Sequence, residues 1–272
     1  MKVVAIQGSP HKGNTYDRVE QLGEALKALG NIEFEHIALK NANIGSCRGC
    51  FSCFQRGEDT CPIHDDMAGI WRKLDEADGA VFASPVYSMH ISHLLKRFVD
   101  RSAFTFHRPR YFGKYAVGLA VTAALGLDDA LRYIRAFAGS WGYEYLGDLR
   151  YVDPPRGSGL PGFVQEEDLT EETARKLHHA MATKKPRKLT RNDYLHFYSM
   201  RTVYSRMRDH SPADYSYFAE RGWLDPKTHY FTPHATGNVL STLLARFVAR
   251  MLGRNMDKAM AGSAEPDEPA GE

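Results

Sequence analysis

Residues 2–7, KVVAIQ, form a short, mostly β-branched run that ends in GSPHKGNT. The next segment, YDRVEQLGEALKALG, carries apolar residues at helical spacing through Val19, Leu22, Ala25 and Leu26 and stops at Gly30. Strand, loop and helix then recur. IEFEHIAL (32–39) alternates like a strand, DMAGIWRKLDEAD has helical spacing, GAVFASPVY reads as a buried strand running into a loop, and HISHLLKRFVDRSAF reads as a helix. KYAVGLAVTAALG supplies a strand and a Gly/Ala turn, LDDALRYIRAFAGSWG a helix, and YEYLGDLRYV a fifth strand. This alternation predicts an α/β fold, a doubly wound parallel sheet that binds ligands at the carboxyl ends of its strands.

The pattern breaks at DPPRGSGLPG (153–162), where prolines and glycines mark a connector. We therefore expect a domain over 1–152, with a cysteine loop at 45–65, and a mostly helical C-terminal extension over 153–262. The acidic GSAEPDEPAGE lacks large apolar groups, and 263–272 is expected to be a disordered tail. Within the extension, 184–208 holds eight Lys/Arg against one acid, Asp193, which reads as a solvated surface or a docking site for an acidic protein such as ferredoxin. LSTLLARFVARML (240–252) places Leu240, Leu243, Leu244, Phe247, Val248, Met251 and Leu252 on one helical face with Arg246 and Arg250 opposite. The expected role of that face is docking on its own domain or on a subunit partner, in a homodimer or homotetramer; the alternative, which a basic amphipathic helix also allows, is lying on anionic lipid.

The formal net charge of +2 argues against a nucleic-acid binder driven by bulk charge. No stretch approaches the roughly 18 apolar residues of a membrane span, and the first apolar run is too short for a signal peptide. Membrane association is not expected, and the chain is placed in the cytoplasm. A reducing compartment disfavours structural disulfides and favours metal ligation or redox chemistry for its cysteines.

GSPHKGNT (8–15) comes close to the P-loop pattern, but Asn14 stands at the lysine position. A triphosphate with magnesium needs that cation, whereas a single terminal phosphate can be held by N–H groups and by Ser9, Asn14 and Thr15. The bland alternative is a tight strand-to-helix turn capped by Asn14 or Thr15.

GSPHKGNT after the first strand, FASPVYSMHISHLLKRFVDR after the third, and the clustered cysteines between them resemble the flavodoxin-like NAD(P)H-dependent FMN reductase and iron-sulfur flavoprotein families. The resemblance covers roughly residues 1–150. It implies a five-stranded parallel sheet of order 2-1-3-4-5 with FMN at its carboxyl edge. It also implies FMN phosphate contacts from Ser9, His11, Asn14 and Thr15, and a loop of Ser84, Pro85, Val86, Tyr87, Ser88 and Met89 along the isoalloxazine ring. Relatives often have a glycine-rich third loop; here Thr122 to Gly126 keeps only Gly126 and is still expected to approach the flavin.

The four cysteines, Cys47, Cys50, Cys53 and Cys61, are spaced C-x2-C-x2-C-x7-C, with Pro62 after the last. Ferredoxin-type runs share the first spacing, so a [4Fe-4S] cluster is the leading expectation. A zinc site usually pairs two separated knuckles and matches less well, and metal-free redox thiols are the other alternative.

These readings combine into an FMN-dependent oxidoreductase that moves electrons from NAD(P)H or ferredoxin, through FMN and the cluster, to a small acceptor such as a quinone, nitro or azo compound, flavin or oxygen species. No side chain is expected to act as a catalytic group, because the flavin carries the chemistry. One alternative is a cluster-free NAD(P)H:FMN or quinone reductase. Another is a non-enzymatic redox carrier or sensor whose extension binds a partner.

Overall fold

The computed structural model describes residues 1–154, 157–159, 167–185, 188–232 and 239–262. The acidic tail 263–272, His234 and parts of the 153–162 connector and the 184–208 basic stretch lie outside the described residues. The chain forms two compact units: Met1–Cys50 with Cys61–Lys185, and Phe51–Thr60 with Pro186–Glu272.

In chain order the elements of the first unit are β1 (Lys2–Gln7), α1 (Asn14–Ala28) and β2 (Glu33–Ala38). A short helix of the second unit, α2 (Ser52–Gln55), interrupts the series. The first unit resumes with α3 (Met67–Glu76), β3 (Gly79–Tyr87), β4 (His90–Ile91), α4 (His93–Arg101) and α5 (Phe104–His107). It ends with β5 (Tyr115–Thr122), α6 (Leu127–Ser140), β6 (Glu144–Val152) and α7 (Thr170–Thr183).

The sheet order is β2-β1-β3-β5-β6, all parallel, with β4 paired antiparallel to β3. Setting aside that two-residue hook, the five long strands run 2-1-3-4-5, the flavodoxin-like order expected. Both faces of the sheet are covered, which is why its central strands β1, β3 and β5 are apolar without strict alternation. Val4, Ile6 and Phe82 pack with Phe98, Phe137 and Trp141 on one face, whereas Val3, Ala5 and Val81 pack with Val19, Leu22 and Leu177 on the other. The second face is completed by α7, and a Cβ on Gly79 would lie 2.8 Å from Met181 Sδ of that helix.

β4 arises from a two-residue hairpin. Val86 pairs with Ile91 and Tyr87 with His90, while the turn residues Ser88 and Met89 take φ of 47° and 68°. Positive φ at both central positions is the type I′ turn, which matches strand twist but normally carries Asn and Gly.

The second unit contains α8 (Arg191–Tyr204), α9 (Pro212–Glu220) and α10 (Val239–Gly262). Thr190 and Asp193 form a capping box that starts α8, and Pro212 starts α9. Its core is aromatic: Trp223 meets Phe218 and Phe231 edge-on at 5.1 and 4.7 Å, and its indole N–H donates to the Phe231 carbonyl at 3.1 Å. No helix among the described residues is long and apolar enough to cross a membrane.

Candidate functional site

The carboxyl ends of β1, β3 and β5 open onto a cavity of about 390 Å³. Its first wall is the loop entering α1. The Gly8 N–H donates to the Ala83 carbonyl at 2.8 Å, tying the loop to β3, and Ser92 Oγ donates to the Gly8 carbonyl at 2.5 Å. A Cβ on Gly8 would lie 2.7 Å from both Leu95 Cβ and Ser92 Oγ, so only glycine lets the loop rest on α4. Beyond it, buried Ser9 donates to the His11 carbonyl at 2.9 Å and rounds the turn.

Gly13 is the N-cap of α1, and no side chain caps the helix. The first-turn N–H groups and the positive end of the helix dipole therefore lie at a cavity wall made by Gly13, Asn14 and Thr15. Exposed Lys12 joins that wall, with its ammonium 5.0 Å from the centre of the Tyr16 ring. The Asn14 amide is engaged elsewhere, donating to the carbonyls of Asp153 at 3.3 Å and Pro154 at 2.8 Å and so bracing the chain after β6. Arg18 grips the Asp153 carboxylate with two bonds of 2.8 Å and brings that residue to the cavity edge.

The second wall is Pro85, Val86 and Tyr87 at the end of β3. Ser84 sits behind it, fully buried, donating to the Pro85 carbonyl at 2.8 Å and accepting from the Ser92 N–H at 2.9 Å. The third wall is Val121, Thr122 and Ala123. Thr122 Oγ1 donates to the Leu125 carbonyl at 2.7 Å and accepts from the Ala124 N–H at 3.2 Å, which fixes the short loop before α6. Gly126 closes it at φ +90°, where a Cβ would lie 2.8 Å from Val86 Cγ1 and 2.9 Å from Met89 Cα. The second and third walls thus support each other. Tyr87, Met89 and Leu125 remain exposed around them.

Of the residues expected at a flavin site, Ser9, His11, Asn14, Thr15, Pro85, Val86, Tyr87 and Thr122 line this cavity. Ser84, Ser88, Met89 and Gly126 do not; they shape the loops from behind or beside. Ala123, within the third loop expected to approach the flavin, lines it as well, and Lys12, Gly13, Val121 and Asp153 line it without having been expected there. Lys12 was legible in principle, as a cation within GSPHKGNT itself. Asp153 was not, because its partners Asn14 and Arg18 are 139 and 135 positions away.

The residues present fit FMN. The volume lies in the range of cofactor sites, the uncapped helix start and Lys12 suit a phosphate, and the apolar strand ends suit a flat ring.

The cysteines correct the sequence expectation. The [4Fe-4S] cluster read from Cys47, Cys50, Cys53 and Cys61 is not supported, because no group of three or more His, Cys, Asp or Glu among the described residues is placed to hold a metal ion. All four are thiols outside disulfides; Cys47 and Cys50 are exposed, and Cys53 belongs to α2 of the second unit. Cys47 Sγ accepts from the Gly49 N–H at 3.5 Å, and Cys61 Sγ accepts from Arg101 Nη2 at 3.6 Å. Spacing allows three thiolates to converge, but among the described residues they form no group that could hold a metal ion. The iron-sulfur expectation for cofactor and function is withdrawn accordingly.

A profile described as NADPH-dependent FMN reductase matches residues 1–148. An iron-sulfur flavoprotein of Archaeoglobus fulgidus is 31% identical over 230 residues, covering 82% of this chain and 100% of that one. Another, from Methanocaldococcus jannaschii, is 35% identical over 193 residues, covering 67% of this chain and 96% of that one. Among solved structures, RosB with a bound intermediate superposes at a TM-score of 0.51 with 14% identity, over 67% of this chain and 79% of that one, which is a likeness of fold.

Proposed function

The chain belongs to the flavodoxin-like NADPH-dependent FMN reductase family and is an FMN- and NAD(P)H-dependent oxidoreductase, and from that premise we propose that it reduces free flavin or a quinone without a metal cluster. The observation that carries this reading is the cavity in which the uncapped start of α1, Ser9 and Lys12 meet the apolar ends of β3 and β5.

In this reading the N–H groups of Gly13, Asn14 and Thr15, the hydroxyls of Ser9 and Thr15, and the Lys12 ammonium hold the phosphate of FMN. Pro85, Val86 and Tyr87 form the shelf for the ring, and Val121 to Ala123 close its other side. FMN supplies the hydride-accepting and electron-donating chemistry when bound. The protein holds it in register and keeps water from its buried side. Exposed Tyr87, Met89 and Leu125 support a planar, partly aromatic acceptor, because they offer apolar contact beside the cavity.

Titration of the apoprotein with FMN and with riboflavin, followed by flavin fluorescence, tests the site. The reading expects FMN to bind much more tightly than riboflavin. Equal affinities would remove the phosphate role of the first loop, and absence of binding would remove the site.

A further inference from the structure

α10 packs within its unit through its smallest residues. Ala245 and Ala249 are 1% and 4% exposed, and a Cβ on Gly253 would lie 3.2 Å from Thr202 Cγ2 and 2.6 Å from Arg206 Nη2 on or beside α8. Arg206 fastens the contact by gripping Asp257 at 2.7 and 3.2 Å. The 3.6-residue period then turns the large apolar residues away from α8. Leu243, Leu244, Phe247, Val248 and Met251 are 57%, 42%, 60%, 39% and 51% exposed. Of the roles expected for this face, docking on its own domain is not what α10 does among the described residues.

A contiguous apolar strip of this kind marks an interaction surface. Its margin identifies the partner. Arg246, Arg250 and Arg254, four residues apart and all exposed, form a row along one edge of the strip. The one acid of α10, Asp257, is already taken by Arg206. The complement to this face is therefore apolar in its middle and anionic at its edge. A second copy fits poorly: an antiparallel two-fold arrangement would set the arginine row against its own equivalent. No helix among the described residues is long and apolar enough to cross a bilayer.

We propose that α10 lies in the plane of an anionic lipid bilayer surface, with Leu243, Leu244, Phe247, Val248 and Met251 in the headgroup boundary and Arg246, Arg250 and Arg254 on lipid phosphates. An exposed apolar strip with a basic edge and a central Phe is a composition that binds this way. The inference stands apart from the flavin reading, and its test uses no activity.

The full-length protein is sedimented with vesicles of phosphatidylcholine plus phosphatidylglycerol and with vesicles of phosphatidylcholine alone. Binding is expected to the anionic vesicles and to weaken with salt. Replacing Arg246, Arg250 and Arg254 by Gln should lower that binding roughly fivefold per residue. Phe247→Glu should abolish it. All four positions are exposed, and an unchanged circular dichroism melt verifies that the variants fold. No binding to either vesicle, or equal binding to both, would overturn the proposal. So would a concentration-dependent dimer in sedimentation velocity that Phe247→Glu dissociates, since that assigns the face to a second copy.

Discussion

Arg101 of α4 is paired with Asp65 inside the first unit, with the two side chains only 2% and 3% exposed. The same guanidinium donates to the carbonyls of Gly45 at 3.1 Å and Ile63 at 3.2 Å, so one residue fastens both ends of the cysteine loop that belong to this unit. Burial works against the Asp65 charge, but hydrogen bonds from Arg101 and from the N–H groups of Gly45 and Met67 outweigh it and hold the carboxyl below its ordinary range. Asp65→Asn leaves the buried guanidinium without its counter-charge and should cost about 3 kcal/mol in urea unfolding. Because the folded carboxyl titrates lower than the unfolded one, its contribution is complete above pH about 4 and is lost as pH falls through the folded value. The wild-type protein should therefore lose stability on acidification in a way that the Asn variant does not.

Ser92 caps α4 by accepting from the Leu95 N–H at 3.3 Å while donating to the Gly8 carbonyl at 2.5 Å. Ser92→Ala removes a helix cap and leaves a buried carbonyl unpaired, which together should cost about 2 kcal/mol. FMN affinity should fall as well, since Gly8 begins the first cavity wall. Thermal melts and a flavin titration on the same sample check both effects.

The hairpin turn at Ser88 and Met89 holds two ordinary residues at positive φ, where each costs roughly 1 kcal/mol. The double variant Ser88→Asn, Met89→Gly supplies the residues that type I′ turns favour and should raise stability by about 1 kcal/mol or more. The same change removes an exposed Met beside the cavity and should raise KM for a quinone acceptor. Chemical denaturation and steady-state kinetics measure the two effects separately.

Lys12 is the exposed cation of the first wall. Lys12→Gln should weaken FMN binding about tenfold to a hundredfold and leave riboflavin binding unchanged, because only the phosphate meets the charge. Parallel titrations with the two flavins read this directly.

The fold was legible because the central strands, KVVAIQ, GAVFASPVY and YAVGLAVT, are apolar enough to be covered on both faces and are each followed by a loop and a segment with helical spacing, while the edge strand IEFEHIAL alternates. The β4 hook was hidden, since Ser88-Met89 carries no turn signature and the contacts that hold it, the burial of Ile91 and the close approach of Met89 to Gly126 among them, come from the tertiary fold. The first loop was readable as an anion site, yet the diversion of Asn14 to Asp153 depends on a contact 139 positions away. Sequence spacing likewise could not decide whether thiols converge, since that depends on where Arg101 and the loop carbonyls lie. In α10 two stripes share the helical period, and the stripe of Ala245, Ala249 and Gly253 packs more closely than the one with larger residues. Hydrophobic periodicity alone points to the larger stripe, which is not the one that packs within this unit.

The central claim is that this cavity holds a flavin that NAD(P)H reduces. The direct measurement is anaerobic mixing of the FMN-loaded protein with NADPH and, separately, NADH, followed by flavin absorbance and then by addition of a quinone or free FMN. The account predicts rapid bleaching by at least one nucleotide and re-oxidation by the acceptor over many turnovers, with no iron required. A flavin that binds but is bleached by neither nucleotide, or turnover that appears only after iron and sulfide are supplied, would contradict it.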